Sequence, residues 1–544
     1  MQVKPSIPKG TRDFATEAIH HRDYIFNTIK EVFKLYGYQP IETPAMENLT
    51  TLLEKYGDEG DRLVFRILNS GDFISKYQEK DKKLLQEQWD HLLSIIEKPN
   101  ISFSDFKTII NSYQQKDDKI SNLLYNYFKG CLSQIELYSR SKKITNGLNF
   151  RKYLDRYRYP HLIKRLEDFI MKNAQLMKGI SDKGLRYDLT VPFARYVVQH
   201  QSEIQFPFKR FQIQPVWRGE NPQKGRYREF YQCDVDIIGS KSLLNELELI
   251  RIIDDVFTSL NIETIVKINN RKILTGIAEY IGAPDKITDI TVAIDKIEKD
   301  GLDSVIQELI NNGLSDNAIQ RLTPILQMKG DNKTKLLNLE TILENFESGR
   351  RGITELNDLL ELLKKISLST KIQFDLTLAR GLNYYTGAII EVKAKGVEIG
   401  SICGGGRYDD LTGIFGLKGM SGVGISFGAD RIYDVLSSLN RLKSNMVIGT
   451  KFLIYNAGEK YLNRNLKIND ELHKSGYSSE IYPDSKEYNK QIEYARTKKI
   501  PYVIIIKDAE LVADKITLLD MSSKEKKIIA FDEIKSSIFS DILK

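Results

Sequence analysis

The sequence predicts a multidomain protein of the α+β class, and three observations lead to this prediction. At 544 residues the chain is too long for a single hydrophobic core, so about three or four domains are expected. Two strand-like runs flank a polar loop in residues 208–238, which predicts an antiparallel hairpin. Beyond residue 450, strand-like runs alternate with amphipathic helical stretches, and this pattern predicts a separate small α/β domain with a largely parallel sheet.

The composition is that of a globular protein with reduced thiols. Hydrophobic residues make up 41% of the chain and charged residues 28%. Neither the three cysteines (Cys131, Cys233 and Cys403) nor the six histidines show the spacing of a zinc site or a disulfide framework. The N-terminal segment lacks an apolar signal region, and no apolar run reaches membrane-spanning length. We therefore expect a cytoplasmic protein with no zinc and no membrane partner.

An amphipathic helix is predicted near the N-terminus. Its apolar side chains recur at helical spacing and are Ile25, Ile29, Val32, Phe33 and Tyr36. Gly37 follows the last of them, in a position that ends a helix, and an extended segment then leads to Pro44. A long helix that feeds a strand can build a subunit interface, and a helix of the internal core has the same pattern. Both interpretations stay open on the pattern alone.

Changes of pattern divide the chain into six predicted segments. Two of them are mainly helical and lack the glycine-rich motifs found elsewhere, and strand-like patterns dominate between and after them. A linker is expected near residues 438–449. The six segments are 1–73, 74–180 (helical), 181–270, 271–371 (helical), 372–440 and 450–544.

The first helical segment, 74–180, carries the basic excess of the chain. It contains twenty Lys and Arg against twelve Asp and Glu, a net charge of +8, whereas the whole chain has +7. Within it, residues 151–159 interleave cations with aromatic side chains, a combination that suits phosphate contacts and base stacking. A solvated helix face would give the same composition. The segment is therefore predicted to be an insert with its own small core, with nucleic-acid contact and a plain solvated surface as open alternatives.

The hairpin in 208–238 is the strongest local signal for a binding site. Because side chains alternate along a strand, one face of the hairpin is apolar and the other is polar. The polar face carries Arg210, Gln212, Gln214, Arg218, Gln232, Asp234 and Asp236. Arginine binds phosphate, whereas carboxylates bind ammonium or imidazolium groups. The pattern therefore predicts a cleft for a nucleotide beside an amino acid, and the alternative is an ordinary solvent-exposed face.

Three further segments contribute candidate site residues. In residues 374–392 Arg380-Gly381 interrupts a strand, which either projects Arg380 into a cleft or makes a plain hairpin turn. Three consecutive glycines in 403–409 would let a ligand approach the main chain, or form a flexible turn. In 422–431 the spacing GxGxxxG is not that of a dinucleotide-binding fold, and no P-loop sequence occurs. Instead, Arg431 is expected near a helix N-terminus, where phosphate is favoured.

Taken in order, these segments resemble a known family. The helix with Gly37, the hairpin with Arg218 and Arg228, and the glycine-rich strand ending in Arg431 resemble motifs 1, 2 and 3 of class II aminoacyl-tRNA synthetases. Four further motifs resemble signatures of the histidyl branch of that family, and they are residues 9–14 (KGTRDF), 186–190 (RYDLT), 378–385 (LARGLNYY) and 404–409 (GGGRYD). The resemblance covers almost the whole chain except 74–180.

The resemblance implies a fold and an activity. The fold would be an antiparallel catalytic sheet with flanking helices, two helical insertions and a C-terminal α/β anticodon-binding domain, assembled as a homodimer through motif 1. The activity would be ATP-dependent attachment of L-histidine to tRNA(His) through histidyl-adenylate, with release of AMP and pyrophosphate and with Mg²⁺ bound to the ATP. The segment 74–180 is longer than the resemblance leads us to expect, and its charge suggests an extra tRNA contact.

The resemblance also implies site residues. At the ammonium group of histidine these would be Asp188, Thr190 and Gln232. Asp236 and Tyr385 would contact the imidazole, with Tyr408 nearby. Tyr384 would complete the histidine pocket. Those for ATP would be Arg218 and Arg380 at the α-phosphate, Arg226 on the motif 2 loop and Arg431 at the γ-phosphate. Arg218 and Arg380 would be the catalytic pair, and no metal is expected to be held by a protein motif.

Two rival interpretations remain. The first is a non-catalytic paralogue of the family, such as the regulatory subunit that partners an ATP phosphoribosyltransferase in histidine biosynthesis. Such proteins generally lose active-site residues and the anticodon-binding domain. This chain contains Arg380, the Tyr384-Tyr385 pair and the C-terminal α/β pattern, which argues against this interpretation. The second is a class II synthetase for another amino acid, against which Asp236 and the lack of a metal-ligand set argue.

Overall fold

The computed structural model describes residues 4–53, 61–70, 73–96, 103–113, 119–141, 154, 159–164, 181–223, 225–379, 384–442, 449–485 and 487–535. Over these ranges the chain forms three β-sheets with helices packed against them, and the α+β prediction is confirmed. No helix of the described ranges is both long and apolar enough to cross a membrane.

The strands, in chain order, are β1 (Gln39–Pro40), β2 (Met46–Asn48), β3 (Arg66–Ile67), β4 (Lys183–Leu185), β5 (Phe208–Trp217), β6 (Glu229–Ile238), β7 (Thr264–Asn270), β8 (Lys371–Phe374), β9 (Ala388–Ala394), β10 (Cys403–Asp409), β11 (Ser421–Gly428), β12 (Phe452–Ile454), β13 (Ser479–Ile481), β14 (Tyr502–Ile505), β15 (Lys515–Asp520) and β16 (Lys526–Ala530).

The α-helices, in chain order, are α1 (Thr16–Leu35), α2 (Leu49–Leu52), α3 (Phe73–Ile96), α4 (Phe103–Ser112), α5 (Lys119–Ser141), α6 (Thr190–Gln199), α7 (Leu244–Ser259), α8 (Arg271–Tyr280), α9 (Ile287–Ile294), α10 (Ile297–Asp300), α11 (Leu302–Asn311), α12 (Asp316–Leu326), α13 (Asn332–Ile342), α14 (Glu347–Leu363), α15 (Ala429–Ser438), α16 (Glu459–Lys474), α17 (Tyr488–Thr497) and α18 (Asp508–Val512).

The central sheet has eight strands in the order β1-β5-β6-β11-β10-β9-β7-β8. Its six inner strands pair in antiparallel fashion, and only the short edge strands β1 and β8 pair in parallel with their neighbours. The sheet is therefore antiparallel where it carries the predicted motifs, as the resemblance implied. Helices α1 and α7 share one continuous hydrophobic core with the sheet. Burial of the apolar stripe of α1 (Ile25, Ile29, Val32 and Phe33) explains its helical periodicity.

The helices of segment 271–371 pack into that same core. Ile273 and Ile277 of α8, Leu339 of α13 and Ile353 and Leu356 of α14 are all buried in the cluster that contains the sheet residues. The prediction that this segment is mainly helical is confirmed. The apolar side chains of these helices pack against those of the sheet, so both sets are removed from water.

The described part of segment 74–180 has a hydrophobic cluster of its own. Helices α3, α4 and α5 bury Trp89, Phe106, Leu124 and Phe128 against one another, and the rings of Trp89 and Phe128 stack with centroids 5.8 Å apart. Of the cation–aromatic run 151–159, only Leu154 and Tyr159 are described. The predicted nucleic-acid contact of this run lies otherwise outside the described residues.

A third cluster belongs to the C-terminal sheet, whose order is β13-β12-β14-β15-β16. Strand β12 pairs in parallel with β13 and β14, whereas β14, β15 and β16 pair in antiparallel fashion. The prediction of a largely parallel sheet is therefore wrong for half of the strand pairs. The strands β15 and β16 are joined by five residues only, and so short a connection can return the chain only in the antiparallel direction.

A small three-stranded sheet, β2-β4-β3, carries residues 181–190 to the polar side of the central sheet. Arg186, just after β4, is buried and donates from Nε to the Pro215 carbonyl (2.8 Å) and from Nη1 to the Thr43 carbonyl (2.6 Å). These bonds tie the segment to the hairpin and bring Asp188 and Thr190 over its polar face.

Candidate active site

The polar face of the β5–β6 hairpin forms the floor of the site. The register pairs Arg210 with Asp236, Gln212 with Asp234 and Gln214 with Gln232, so the alternation predicted from the sequence is confirmed. The alternative of a solvent-exposed face is wrong. Arg210, Gln212, Asp234 and Asp236 are each at most 2% exposed, because other segments of the chain cover them. A polar surface that is enclosed in this way has to satisfy its hydrogen bonds within the protein or with a ligand.

Two adjoining cavities lie above this floor. The inner pocket, about 500 Å³, is lined by Asp188, Thr190, Arg218, Gln232, Asp234, Asp236, Tyr384, Tyr385, Gly404, Gly405, Tyr408, Gly424, Ile425 and Ser426. The outer cleft, about 790 Å³, is lined by Arg218, Glu220, Gly225, Arg226, Tyr227, Phe230, Gln232, Ser401, Ile402, Cys403, Gly404, Ser426, Gly428, Asp430 and Arg431. Arg218, Gln232, Gly404 and Ser426 line both cavities, so the two spaces meet at these residues.

The structure thus brings together the residues that the sequence singled out. All seven predicted histidine-binding residues line the inner pocket, and Arg218, Arg226 and Arg431 line the outer cleft. Arg380 lies outside the described residues. Six further lining residues had no role predicted from the sequence, and they are Asp234, Ser426, Glu220, Tyr227, Phe230 and Ser401. The strand alternation had nevertheless placed Asp234 on the polar face.

Two glycine-bearing strands create the room for this arrangement. A Cβ atom on Gly424 would lie 1.8 Å from Asp236 Oδ1, so glycine at this position makes space for the carboxylate. The three glycines in 403–409 lie on strand β10, so the alternative of a flexible turn is wrong. Added Cβ atoms on Gly405 and Gly406 would lie 2.0 Å and 2.4 Å from main-chain oxygens of the neighbouring strands, so these two permit close strand packing. Gly404 lines both cavities and Gly405 lines the inner pocket, so ligand approach to the main chain at these two glycines stays a prediction.

Asp236 is the most strongly bonded carboxylate of the inner pocket. Its Oδ2 lies 2.7 Å from Nη2 of the fully buried Arg210, and Tyr408 donates its hydroxyl to Oδ1 at 2.6 Å. Burial raises the pKa of Asp236, and the Arg210 charge and the Tyr408 hydrogen bond oppose that rise. Burial and the neighbouring Asp236 charge raise the pKa of Tyr408. The phenol therefore stays protonated and fixes the orientation of the carboxylate.

Asp188 lies just before α6 and lines the inner pocket. Its Oδ1 accepts hydrogen bonds from the main-chain N–H groups of Thr190 and Val191, both at 3.1 Å, as a helix-capping carboxylate does. The Tyr384 hydroxyl lies 3.5 Å from Oδ2. Helix formation at residue 190 thus fixes the direction in which Asp188 faces the pocket.

Two acceptors on the floor are left open. Over the described ranges, neither Gln232 Oε1 nor Asp234 Oδ1 has a hydrogen-bond partner, although both atoms are buried. Gln232 instead donates from Nε2 to the Ser426 hydroxyl at 2.9 Å. Burial raises the pKa of Asp234 to about 7, against the lowering effect of the Arg210 charge and of a hydrogen bond with Ser426. The floor therefore presents unpaired acceptors to any molecule in the pocket.

In the outer cleft, two arginines are held by main-chain carbonyls. Arg218 donates from Nε to the Tyr187 carbonyl (3.2 Å), and its guanidinium lies 4.3 Å from the ring centroid of Tyr187 and 5.2 Å from that of Phe230. Arg431, in the first turn of α15, donates to the carbonyls of Gly225 (2.8 Å) and Ser401 (2.7 Å). Planar cations fixed in this way present their remaining N–H groups in a set direction.

The predicted loop arginine behaves differently. Arg226 has a side chain that is about half exposed, and its nearest ion-pair partner, Glu220, is 3.8 Å away. The neighbouring Tyr227 is anchored, because its hydroxyl donates to Asp434 at 2.9 Å and the Arg12 guanidinium lies 3.4 Å from its ring centroid. Thus the loop is fixed beside Arg226 while the Arg226 side chain itself retains freedom to move.

The N-terminal motif 9–14 supports this cleft from behind. Arg12 and Arg22 both form ion pairs with Asp430, the residue before Arg431. Asp430 Oδ2 also accepts from the main-chain N–H of Tyr231 at 2.9 Å. The motif therefore connects the start of α15 to the hairpin. Its sequence alone does not reveal this role, because the paired residues lie about four hundred positions apart in the chain.

Comparisons with known proteins show which family this chain resembles. A family model described as histidyl-tRNA synthetase matches residues 177–432, and one described as an anticodon binding domain matches residues 450–539. The chain is 47% identical over 535 residues to the histidine–tRNA ligase of Phocaeicola vulgatus, covering 98% of this chain and 99% of that protein. It is 45% identical over 529 residues to the histidine–tRNA ligase of Porphyromonas gingivalis, covering 97% and 98%.

Solved structures show the same fold. A histidyl-tRNA synthetase from Nostoc sp. PCC 7120 matches with a TM-score of 0.68 at 25% identity, covering 98% of this chain and 99% of that one. A protein from Bacillus halodurans described as an ATP phosphoribosyltransferase regulatory subunit/histidyl-tRNA synthetase matches with a TM-score of 0.61 at 17% identity, covering 92% and 99%. The second likeness concerns the fold alone.

Proposed function

This chain belongs to the histidyl-tRNA synthetase family of class II aminoacyl-tRNA synthetases and attaches histidine to tRNA, and we propose that its inner pocket binds histidine and its outer cleft binds ATP. The observation that carries the proposal is the meeting of the two cavities at Arg218 and Gln232, with buried carboxylates on one side and arginines on the other. A carboxylate of histidine and an α-phosphate of ATP would then meet beside Arg218.

In the inner pocket, we assign Asp188, Thr190 and Gln232 to the ammonium group of histidine. Asp236, oriented by Tyr408 and Arg210, would accept an imidazole N–H, and Tyr385 would contact the other side of the ring, with Tyr384 closing the wall. A pocket that provides a partner for each ring nitrogen rejects amino acids that lack them. An unpaired polar group in such a site costs about 1–3 kcal/mol.

In the outer cleft, we assign Arg218 to the α-phosphate, Arg431 to the γ-phosphate and Arg226, on the motif 2 loop, to the nucleotide. Arg380, assigned from the sequence, would approach the α-phosphate from the histidine side. The fixed orientations of Arg218 and Arg431 support these roles, since bidentate contact with phosphate needs a guanidinium in a set plane.

The chemistry explains why arginines rather than a base dominate the site. The histidine carboxylate is itself the nucleophile, so its attack on the α-phosphorus needs no proton removal, and pyrophosphate leaves. The terminal ribose hydroxyl of tRNA then attacks the carbonyl carbon, and AMP leaves. Rate enhancement in the first step would come from positioning the two reactants and from neutralising negative charge on the phosphate oxygens.

Several finer assignments accompany this proposal. We propose a homodimer formed through the motif 1 segment, action in the cytoplasm, and division of the chain at the six predicted segments. Mg²⁺ would accompany ATP and reduce repulsion between its phosphates. In the described part of the chain, the carboxylates that line the outer cleft are Glu220 and Asp430. Asp430 pairs with Arg12 and Arg22, so Glu220 would be the protein ligand for that ion.

A single exchange assay tests the assignment of the two cavities. In ATP–pyrophosphate exchange, histidine should support turnover and other amino acids should not. Arg218→Ala should lower the rate about 10²–10³-fold, the usual loss when one donor to a charged transition state is removed. Arg321→Ala is a matched control, because this exposed arginine also donates to a main-chain carbonyl, that of Tyr280 (3.2 Å), far from the cavities. Equal exchange with proline, or an unchanged rate in Arg218→Ala, would overturn the proposal.

A further inference from the structure

One buried carboxylate of the inner pocket has no role in the assignments above. Asp234 lies in the middle of the floor on β6, between Gln232 and Asp236, and is 1% exposed. Its Oδ1 has no hydrogen-bond partner in the part of the chain that the structure describes. Strands on both sides enclose it, with Gln212 opposite on β5 and Ser426 opposite on β11. The open side of the carboxylate is therefore the pocket, which Asp234 lines.

The charged groups around Asp234 leave this oxygen unpaired. Arg210 on β5 forms its ion pair with Asp236, and its Nη1 lies 3.3 Å from Gln212 Oε1. Arg186, from the segment before α6, directs its guanidinium to main-chain carbonyls and to Gln214.

The remaining neighbours are also committed or negatively charged. Asp188 and Asp236 face Asp234 as like charges. The Tyr408 hydroxyl donates to Asp236 and not to Asp234. Within the described ranges, Ser426 is the hydrogen-bonding partner that acts on the Asp234 carboxyl, and the same hydroxyl accepts from Gln232. Among the described residues no donor reaches Asp234 Oδ1, so this oxygen is open to a donor from a ligand in the pocket.

We propose that Asp234 is a further histidine-binding residue, whose Oδ1 accepts a hydrogen bond from an N–H group of the bound amino acid. The inference rests on the proposed assignment of the inner pocket to histidine. Histidine carries N–H donors at both ends, on its ammonium group and on its imidazole ring. A buried acceptor without a partner is unfavourable, so a ligand that supplies the donor gains the hydrogen bond that the free protein lacks.

This role makes histidine binding depend on pH through Asp234. In the empty pocket, burial raises the pKa of Asp234 to about 7, so the carboxyl is partly protonated at neutral pH. A hydrogen bond from a substrate N–H favours the ionised form and lowers that pKa. Binding therefore releases a proton at pH near or below 7. As the pH falls below 7, histidine binding weakens, because the proton has to be displaced.

Calorimetric titration of the full-length protein with L-histidine tests the inference. Measured at pH 6.5 in two buffers of different ionisation enthalpy, the wild-type protein should release up to one proton more per site than Asp234→Asn. The dissociation constant for histidine should rise about 5–150-fold in Asp234→Asn, the range that corresponds to one lost hydrogen bond in a buried site. Titration of the substrate imidazole occurs with both proteins and so cancels in the comparison. Equal proton release and equal affinity would overturn the inference.

A second variant keeps the test decisive if Asp234→Asn folds poorly. Ser426→Ala removes the hydroxyl whose hydrogen bond lowers the pKa of Asp234. The pH below which histidine binding weakens should therefore move upward in Ser426→Ala. An unmoved pH profile would contradict the inference.

A truncated ligand identifies the N–H group concerned. 4-Methylimidazole, used as a competitor, keeps the ring and lacks the ammonium group. If Asp234→Asn weakens it as much as histidine, the ring N–H is the donor, and if only histidine is weakened, the donor is the ammonium group. Loss of affinity for neither ligand would sink the inference.

Two controls separate this inference from the pocket assignment. Asp236→Asn should weaken histidine binding if the inner pocket is the histidine site, whatever the role of Asp234. If neither Asp236→Asn nor Asp234→Asn changes histidine affinity, the pocket assignment itself has failed. Asp254→Asn is a matched buried carboxylate whose two oxygens accept from the main-chain N–H groups of Ser369 (3.0 Å) and Thr370 (2.8 Å). It should alter neither proton release nor histidine affinity.

Discussion

Two buried arginines of the central sheet, Arg407 and Arg210, have very different surroundings. Arg407 on β10 donates to both oxygens of Glu246 at 2.6 Å. It also donates to the Ser421 hydroxyl (2.7 Å) and to the carbonyls of Ser240 and Ser242, both at 3.1 Å. These five hydrogen bonds match the five N–H groups of a guanidinium. The Arg407 cluster is complete without any ligand.

Arg210 belongs to a cluster that is incomplete. It forms one ion pair, with Asp236, and makes longer contacts with Gln212 (3.3 Å) and the Leu189 carbonyl (3.5 Å). Its own Nε and the nearby Asp234 Oδ1 lack hydrogen-bond partners within the described ranges. Arg407 and Tyr408 are adjacent on β10, so they point to opposite faces of the sheet, and Tyr408 belongs to the Arg210 face.

The difference in hydrogen bonding distinguishes a structural charge cluster from a functional one. Both arginines are almost fully buried, at 5% and 0% exposure, so burial does not distinguish them. The completeness of their hydrogen bonds does distinguish the two arginines. A buried ion pair is tolerated for stability only when its remaining donors and acceptors are satisfied, and acceptors left open toward a cavity are available to a ligand.

The largest effect is expected from breaking the complete cluster. Glu246→Ala leaves the Arg407 charge buried without a counter-ion and should lower the free energy of unfolding by about 3–5 kcal/mol. Equilibrium unfolding in urea measures this loss. Exchange activity per folded molecule should stay near that of the wild-type protein, since Glu246 lines neither cavity. A loss below about 1 kcal/mol would mean that the two clusters do not differ as we infer.

The next effect concerns activity rather than stability. Asp236→Asn should lower kcat/KM for histidine in pyrophosphate exchange about 10–100-fold, because the imidazole N–H loses a charged acceptor. Its unfolding free energy should change much less than that of Glu246→Ala, since Arg210 retains Asp234 as a neighbouring charge. If Asp236→Asn lost as much stability as Glu246→Ala and kept its activity, the assignment of a structural and a functional role to the two clusters would be wrong.

The smallest effect has the opposite sign. The raised pKa of Asp234 means that the folded protein binds more protons than the unfolded chain between about pH 4 and 7, so the ionised residue costs stability as the pH rises through that window. Asp234→Asn should therefore stabilise the ligand-free protein by on the order of 1 kcal/mol at pH 8 and not at pH 4. Thermal unfolding at the two pH values measures the difference. A destabilised variant at pH 8 would show that the floor is as complete as the Arg407 cluster.

Much of the central fold follows from local patterns. The alternation in 208–238 predicted which residues of β5 and β6 share a face, and the observed register confirms it. The α+β class and the helical character of 271–371 are also confirmed. These features depend on side-chain period, which the sequence contains directly.

Other features depend on contacts between distant segments. The C-terminal sheet has antiparallel strands at one side. Only five residues join its last two strands, and the period of the strands does not reveal so short a connection. Gly405 and Gly406 permit close strand packing, and Gly405 also lines the inner pocket, facts that depend on which strands become neighbours. Segment 271–371 shares the core of the sheet, whereas the helices of 74–180 bury a cluster of their own, although both have helical patterns.

The polar face of the hairpin and the order of the family motifs follow from the sequence alone, and the resemblance that these motifs carry implies the reaction. Burial of this face, saturation of the Arg407 hydrogen bonds and, among the described residues, the open acceptor of Asp234 are properties of the tertiary structure. The physical reason is that period and motif are properties of neighbouring residues, whereas the burial and pairing of a charge depend on which distant segments enclose it. The same Arg and Asp residues can therefore stabilise the fold or bind a substrate, and their partners in space decide between the two.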